Sequence, residues 1–274
     1  MTFCRSAAVL ATLWALAAFA PSATALTAHG RLLHLVPNAR SNSHQSNNWF
    51  GYNQGALESG GKIFHSITAG WRVPRASRHG KRHAEYSSDW IGIGGGCVDR
   101  GCGLTDGTLI QTGTEQDVPA HGTPAYSAWW EIIPGPSLTI RKLHIRPGDR
   151  IRASIQEVLP LSNVWRITIR DVSRREAYTV SVPYTSTQDT AEWIEETPLI
   201  LSSQPGFAAL PNLSSPRFDR ATTNGHPARL KRSEEMFLTN SAGKVIGAPS
   251  APDPDNDGFN ACTWATSCAA PGSS

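Results

Sequence analysis

The stretch GDRIRASIQEV, residues 148–158, alternates apolar and polar side chains, with Ile151, Ala153 and Ile155 in step. A period of two places alternate side chains on one face of a β-strand. Residues 163–170 and 177–182 repeat the pattern, and a turn-forming segment at 171–174 joins them. These runs predict consecutive strands, each with one buried face.

Similar strand-forming runs extend over most of the chain. Further strands are predicted at residues 63–73, 86–93, 108–118, 126–133, 189–200, 236–239, 244–246 and 259–264. One helical turn is predicted within residues 229–237, and we find neither an internal repeat nor a second domain. Many short strands separated by turn signals predict an all-β fold, an antiparallel β-sandwich.

The amino-acid composition excludes several classes of protein. The chain has 274 residues, a formal net charge of +3 and 17% charged residues. This charge density excludes a polyelectrolyte tail or an arm that wraps nucleic acid. Beyond the N-terminus, no apolar run reaches the roughly 18 residues that a membrane helix needs. We expect a monomer with no nucleic-acid partner and, after signal removal, no membrane contact.

The N-terminus has the parts of a secretory signal. Arg5 precedes an apolar run at residues 6–20, and Ala23-Thr24-Ala25 fits the small-x-small cleavage rule. A membrane anchor is the alternative, which the short apolar run disfavours. We predict a signal peptide at residues 1–25, a secreted protein, and one sandwich domain at residues 47–274.

Residues 26–46 are polar, with basic and Ser/Asn-rich stretches, and are predicted to be a flexible arm or a short propeptide. If the segment is an inhibitory propeptide, we expect acid to release it. The reason is that carboxylates holding its basic residues would become protonated.

Four cysteines remain after signal removal: Cys97, Cys102, Cys262 and Cys268. An even number in an exported chain predicts disulfides. Three pairings are possible, and local pairing within 97/102 and 262/268 is the simplest. A zinc site is the alternative, but the spacing lacks a C-x-x-C pair and the compartment is oxidising.

Motifs of the common hydrolase mechanisms are missing. The sequence has no G-x-S-x-G, H-E-x-x-H or P-loop pattern. Residues 253–258, DPDNDG, mimic the start of a calcium loop, but its twelfth position is Trp264 instead of Glu, so a polar turn is favoured. No metal is therefore predicted. Asn212 begins an N-glycosylation sequon, which matters only in a eukaryotic host.

Five segments form a distinctive ordered set. They are SNNWFGY at 46–52, WIGIG at 90–94, LIQTG at 109–113, YSAWWEIIP at 126–134 and AEWIEE at 191–196. Each segment is weak alone, but the ordered set resembles the glutamic peptidases, or eqolisins, from about residue 48 to residue 264.

This resemblance implies a fold of two packed, curved antiparallel sheets of the concanavalin A-like kind. It also implies an acid-acting endopeptidase with a Gln/Glu dyad, polypeptide substrates and no cofactor. The catalytic Gln of the I/L-Q-T-G strand falls on Gln111, and the catalytic Glu of the A-E-(aromatic)-I-x-E strand falls on Glu196. The active-site Trp falls on Trp90, and the substrate-side Glu on Glu131.

The sequence departs from the fungal pattern at several positions. Gly94 and Ser127 replace Asp, and Ile133 replaces an aromatic residue. The family's long-range cysteine pairing is also replaced, because no Cys lies near the Glu strand. These differences bear on subsite preference and pH optimum more than on the dyad, and they point to a variant branch of the family.

Strand parity supports the assignment independently. Three sets of residues two apart share a face: Leu109, Gln111, Gly113 and Glu115; Glu192, Ile194 and Glu196; Ser127, Trp129, Glu131 and Ile133. This mixture of polar and apolar groups fits a partly dry cleft. We expect Trp90 and Trp129 to be its apolar walls, and Glu131 and Ser127 to contact substrate.

The dyad has a coherent chemistry. A carboxylate such as Glu196 can deprotonate a water and return the proton to the leaving nitrogen. An amide N–H from Gln111 can stabilise the oxyanion, a contribution of roughly 3–4 kcal/mol. Two alternatives stay open: a non-catalytic carbohydrate- or peptide-binding sandwich with Trp-rich faces, and a glycoside hydrolase that uses Glu131 and Glu196.

Overall fold

The computed structural model describes residues 31–34, 44–81, 83–201, 203 and 205–272. The described part consists of β-strands, loops and one short 3₁₀ helix. The signal peptide predicted at residues 1–25 lies outside the described residues, as do residues 26–30 and 35–43 of the predicted arm. None of the helical segments in the described ranges is long and apolar enough to cross a bilayer.

The strands are numbered in chain order. They are β1 Arg31–Leu33, β2 Gln45–Ser46, β3 Trp49–Gly55, β4 Ser66–Arg72, β5 Ala76–Ser77, β6 Glu85–Gly94, β7 Leu109–Val118, β8 Ala125–Ile132, β9 Leu138–Thr139, β10 Arg150–Glu157, β11 Val164–Asp171, β12 Glu176–Pro183, β13 Thr190–Glu196, β14 Leu199–Leu201, β15 Gly206–Phe207, β16 Asn212–Leu213, β17 Arg217–Thr223, β18 His226–Pro227, β19 Glu235–Thr239, β20 Val245–Pro249 and β21 Phe259–Thr263. The 3₁₀ helix covers Arg232–Glu234.

Most strands belong to one hydrogen-bonded path that forms two packed layers. The back sheet has the strand order β12-β11-β10-β4-β17. The site sheet has the order β19-β3-β13-β6-β7-β8-β9, and β21 and β20 connect the two sheets. Every pair along the path is antiparallel. The antiparallel β-sandwich predicted from the sequence is therefore confirmed.

The alternating stretch at residues 148–158 forms β10 and buries the face that its pattern predicts. Ile151, Ala153 and Ile155 pack into the core, and the polar residues between them face outward. β11 pairs with β10 over its whole length and repeats the alternation. A half-buried antiparallel strand of this kind needs a second sheet to cover its apolar face, which the site sheet provides.

The core between the two sheets contains large apolar side chains from both. Two indoles also make hydrogen bonds across it. Trp71 Nε1 donates to Thr114 Oγ1 at 2.9 Å, and Trp193 Nε1 donates to the carbonyl of Thr68 at 3.0 Å. These bonds satisfy the indole N–H groups, which would otherwise be costly to bury.

A second apolar cluster lies on the opposite, outer face of the site sheet. Its buried side chains include Trp49, Trp90, Leu109, Trp129, Ile194 and Met236. Both faces of the site sheet are therefore buried, which explains why β3, β6 and β13 are buried at every position. The outer face carries the candidate functional residues.

Several local features differ from the sequence-based expectation; β3, for example, was not predicted as a strand. The strand predicted at 189–200 ends at Glu196, and Pro198, which has no N–H, separates it from β14. β17 was not predicted, because an irregularity between Asp219 and Thr222 disrupts its alternation against β4. The helical turn predicted at 229–237 is reduced to the 3₁₀ helix, and β19 follows it directly.

The disulfides follow the simplest pairing. Cys97 bonds Cys102, and Cys262 bonds Cys268. The first closes the loop between β6 and β7, and its sulfurs pack against the outer apolar cluster. The second closes the loop after β21.

Candidate active site

Three rows of residues cross the outer face of the site sheet, perpendicular to its strands. In the order β13, β6, β7 and β8, the first row is Glu196, Ser88, Glu115 and Ser127; the second is Ile194, Trp90, Gly113 and Trp129; the third is Glu192, Gly92, Gln111 and Glu131. The shared faces predicted from strand parity are thus observed, and the register decides which residues are neighbours.

Glu196 lies at the β13 end of the first row and is fully buried. Its Oε2 accepts a hydrogen bond from Trp90 Nε1 at 2.9 Å, and its Oε1 accepts one from Trp49 Nε1 at 3.3 Å. Burial raises the pKa of Glu196, whereas these indole N–H groups act in the opposite direction by stabilising the carboxylate. Trp90 therefore orients the carboxylate, which adds a specific role to the apolar wall predicted for it.

Gln111 and Glu131 lie directly opposite each other on β7 and β8. Gln111 Nε2 donates to Glu131 Oε2 at 3.2 Å, so the carboxyl fixes which end of the amide points towards it. Burial raises the pKa of Glu131 to about 8. Gln111 Oε1 and Glu131 Oε1 are buried without a hydrogen-bond partner among the described residues.

Gly113 separates the two tryptophans of the middle row. A Cβ at this position would lie 2.5 Å from Trp90 Cβ. A larger residue would therefore displace Trp90, and with it the hydrogen bond that Trp90 makes to Glu196.

Glu115 and Ser127 form the far end of the first row. Ser127 Oγ donates to Glu115 Oε2 at 2.9 Å. In the same region, Trp129 Nε1 donates to Ser88 Oγ at 2.9 Å, which holds the indole plane in place. The sequence placed Glu115 on the correct face but assigned it no role.

His34 occupies the centre of this surface, and the sequence analysis did not identify it. Its ring stacks on Trp129 with a centroid distance of 3.7 Å and an interplanar angle of 4°. Nδ1 lies 2.8 Å from Glu196 Oε2, and Nε2 lies 3.1 Å from Glu115 Oε1. No period or motif around residue 34 signals this placement, because the preceding strand has only three residues.

The backbone of His34 is held as well. Its N–H donates to Glu131 Oε2 at 3.2 Å, and its carbonyl accepts a hydrogen bond from Gln111 Nε2 at 2.9 Å. The residues before it, β1, pair antiparallel with β14. His34 therefore makes four polar contacts, one each with Gln111, Glu131, Glu196 and Glu115, and one stacked-ring contact with Trp129.

The electrostatics of the site favour a protonated imidazole. Burial alone lowers the pKa of His34, but Glu196, Glu115 and Glu131 more than compensate and raise it to about 10. Both ring nitrogens face carboxylate oxygens, which only accept hydrogen bonds when ionised. A doubly protonated ring is the form that satisfies both contacts.

The structure brings together all six predicted dyad and substrate-side residues: Gln111, Glu196, Trp90, Trp129, Glu131 and Ser127. Gln111, Glu131 and Glu196 are more buried than the cleft predicted from the sequence, since His34 covers them.

Two other motifs lie outside this site. Asp253 accepts hydrogen bonds from the backbone N–H groups of Asp257 and Gly258, which is the polar turn predicted there. Its carboxylate also lies 3.7 Å from Arg217 Nη2. The side-chain amide of Asn212, in the glycosylation sequon, donates to the carbonyl of Arg78 at 3.0 Å.

Several solved structures share this fold. Scytalido-glutamic peptidase with a transition state analog inhibitor aligns with a TM-score of 0.61 and 19% identity, covering 79% of this chain and 98% of that one. SCP-B, described as a member of the eqolisin family in a complex with the tripeptide Ala-Ile-His, aligns with a TM-score of 0.55 and 18% identity, with the same coverages. Aspergilloglutamic peptidase from Aspergillus niger aligns with a TM-score of 0.51 and 22% identity, covering 65% of this chain and 99% of that one.

Comparison of the sequence alone gives one family match. A search of curated proteins found no significant match. The model of the Peptidase A4 family matches residues 47–252, which is most of the chain. The matched range contains all six predicted dyad and substrate-side residues. This chain therefore belongs to the Peptidase A4 family and is a glutamic endopeptidase.

Proposed function

We propose that Gln111 and Glu196 are the catalytic dyad of a secreted, acid-acting endopeptidase. The observation that carries this proposal is the pose of His34. Its carbonyl accepts a hydrogen bond from Gln111 Nε2, while Glu196 lies 2.8 Å from another atom of the same residue. A peptide residue held in this way places its carbonyl at the Gln111 amide and lies within reach of the Glu196 carboxylate.

The chemistry follows from these positions. Glu196 removes a proton from a water, and the water oxygen attacks the substrate carbonyl carbon. Gln111 Nε2 donates to the oxygen, which becomes negatively charged in the tetrahedral intermediate. The intermediate collapses as Glu196 returns the proton to the leaving nitrogen, the C–N bond breaks, and a carboxyl and an amine are released.

Glu131 acts as a positioning residue. Its Oε2 accepts hydrogen bonds from both Gln111 Nε2 and the N–H of His34. It thereby fixes the orientation of the Gln111 amide and contacts the bound backbone. The tripeptide in the SCP-B complex, Ala-Ile-His, has an apolar residue before histidine, as Leu33 precedes His34 here.

The proposal includes secretion, which two features support. The predicted signal peptide and the two disulfides both fit an oxidising compartment. A carboxylate, whose ordinary pKa is near 4, can act as a base in mildly acidic solution, so a strongly basic medium is not needed.

The test is digestion of a denatured protein at acid pH with pepstatin present to silence aspartic peptidases. We expect Glu196→Gln to lose about 10²–10⁴-fold in kcat/KM, and Gln111→Ala about 10²–10³-fold. Glu192→Gln is the matched control, since Glu192 is a buried carboxyl on the same face of the same strand. Full activity in folded Glu196→Gln would disprove the dyad.

A further inference from the structure

A groove of about 430 Å³ crosses the outer face of the back sheet, on the side of that sheet away from the core and the site sheet. The charged residues that line it are Arg72, Arg150, Arg152, Arg217, Arg220 and Asp219. Five positive charges and one negative charge meet in this basic groove, whereas the whole chain has a formal net charge of only +3. The positive charge of the protein is therefore concentrated here.

The register of the back sheet places arginines side by side. Arg150 on β10 lies directly opposite Arg72 on β4, and Arg152 on β10 lies directly opposite Arg170 on β11. Like charges in directly opposed positions destabilise a sheet. Among the described residues, no carboxylate oxygen lies within 4.0 Å of these four guanidinium groups. The repulsion between them is thus not offset by ion pairs in the described part of the chain.

Gly70 forms the floor of the basic groove. It lies between Arg152 on β10 and Asp219 on β17, its partners in the two neighbouring strands. A Cβ at position 70 would lie 3.7 Å from Arg152 Cγ, so the missing side chain leaves the backbone open between the charged residues. A glycine inside a strand often marks a place where a ligand approaches the backbone closely.

Arg217 supplies an unused donor at the β17 side of the groove. Its Nε is buried and has no hydrogen-bond partner among the described residues. Its Nη2 lies 3.7 Å from Asp253 Oδ2 and 4.0 Å from Asp219 Oδ2, and both distances are too long for hydrogen bonds. A buried donor without a partner costs free energy, which an anion in the groove would recover.

The type and spacing of the cations define the ligand. Every cation that lines the groove is an arginine, whose planar fork can hold two oxygens of one oxyanion and stays charged in acid. From β11 to β17 the arginines span about 14 Å, three strand spacings, which exceeds the reach of a single ion. Trp71 is the one aromatic residue of the lining and is only 3% exposed, so the groove offers no ring on which a nucleic-acid base could stack.

We propose that the basic groove of the back sheet binds a chain of sulfate or phosphate groups, held by Arg72, Arg150, Arg152 and Arg217. Sulfate and phosphate keep a negative charge in acid, where carboxylates become protonated. That choice of anion rests on the acid action proposed above, whereas the site itself does not. A protein bound through this groove keeps the face with Gln111 and Glu196 free for substrate.

The first experiment is calorimetric titration of the full-length protein at pH 3 with tripolyphosphate, with a short, fully sulfated dextran, and with sodium sulfate. We expect at least one of the two chains to bind at least about tenfold more tightly than sodium sulfate, because it contacts more arginines. Tighter binding of tripolyphosphate would assign the site to a free polyphosphate, and tighter binding of the dextran to a sulfated polymer. Equal binding of all three, or no binding, would overturn the proposal.

A carboxylate chain tests the choice of anion. Oligogalacturonate should bind at least about tenfold more weakly than the better of the two chains at pH 3, because most of its carboxyl groups are then protonated. Equal affinity would overturn the assignment to sulfate or phosphate.

The second experiment locates the site. Arg150→Gln combined with Arg152→Gln should weaken binding at least about tenfold, since each change removes a charge-assisted contact. The matched control combines Arg141→Gln with Arg166→Gln, which removes two exposed arginines outside the groove and changes the net charge equally. An equal loss in the two double variants would show non-specific charge attraction and overturn the proposal.

Asp219→Asn provides a change in the opposite direction. It removes the one carboxylate of the lining, and the amide oxygen can still accept the hydrogen bond that the N–H of Arg220 donates to Asp219 Oδ1 at 2.9 Å. Binding should therefore become at least about twofold tighter. Weaker binding in this variant would contradict an anion site.

The third experiment measures stability and activity. The bound chain should raise the melting temperature of wild type but not that of Arg150→Gln/Arg152→Gln. Without ligand this double variant should melt no lower than wild type, because opposed like charges have been removed. A lower melting temperature would show that the arginines serve the fold and would overturn the proposal. Hydrolysis of a soluble peptide should stay within about twofold of wild type in the double variant, because the groove and the dyad lie on separate sheets.

Discussion

The Nδ1 atom of His34 lies 2.8 Å from Oε2 of Glu196, although 162 positions separate the two residues in sequence. The same carboxylate oxygen accepts a hydrogen bond from Trp90. The proposed general base is therefore surrounded by donors from three parts of the chain. Removal of any one donor changes the proton affinity of Glu196 in a direction that can be stated in advance.

Trp90→Phe should raise the pKa of Glu196, because it removes the 2.9 Å indole N–H bond but keeps an aromatic ring in the outer cluster. Loss of a donor to a carboxylate favours its protonated form. The acid limb of the kcat/KM profile should move upward by on the order of half a pH unit. Trp49→Phe, which removes a bond of 3.3 Å, should shift the limb less. A downward shift in Trp90→Phe would contradict this orientation role.

Docking of His34 should weaken as the pH falls. Burial raises the pKa of Glu196, so acid neutralises this partner of the imidazolium while His34, whose pKa the surrounding carboxylates raise to about 10, keeps its charge. Histidine-ring NMR between pH 7 and pH 3 should show His34 moving from the docked to the free signal. In Glu115→Gln one partner is lost at every pH, so release should begin at a higher pH. Retention of the docked signal at pH 3 would contradict acid release.

Substrates with histidine at the residue that contacts Gln111 should be preferred. Competing peptides that differ only as His or Ala at this position should show at least about a tenfold difference in kcat/KM for the His34→Ala enzyme. Glu115→Gln should reduce this preference without affecting the alanine peptide, because Glu115 contacts only the imidazole side of the bound residue. Ser127→Ala, which removes only the support of Glu115, should have a smaller effect. An unchanged preference in Glu115→Gln would exclude Glu115 from the subsite.

The fold itself should be more stable in acid than at neutral pH. Asp89 and Glu195 lie opposite each other on β6 and β13, and both are fully buried. Burial raises the pKa of Asp89 to about 6; burial and then the charge of Asp89 raise the pKa of Glu195 well above its ordinary value. Their stabilising contribution is complete below the unfolded-state pKa values near 4, and it is lost as the pH rises through the higher folded-state values.

Thermal unfolding at pH 4 and pH 7 measures this effect. We expect wild type to melt several degrees lower at pH 7, since the two groups together contribute on the order of 2 kcal/mol. Glu195→Gln should reduce the difference, because an amide does not have to be protonated in the core. A higher melting temperature at pH 7 than at pH 4 would contradict the sign of this linkage.

The sequence by itself determined most of the longer strands and their faces. The period-two pattern of residues 148–158, and the parity of Gln111 with Glu115 and of Glu196 with Ile194, follow from local geometry, since each residue in a strand alternates sides. The ordered motifs predicted the family, and the match of the family model to residues 47–252 confirmed it. Local disulfide pairing was also accessible, because the partners are 5 and 6 residues apart.

Only the tertiary structure decided which of these residues meet. The register of β13, β6, β7 and β8 places Glu196 in line with Glu115 and Gln111 beside Glu131, and a shift of one residue in any strand would turn these side chains to the other face. His34 reaches Gln111 across 77 positions. Its place depends on a ring stacked on Trp129 and on carboxylates from separate strands, and such long-range contacts leave no period or spacing in the sequence around it.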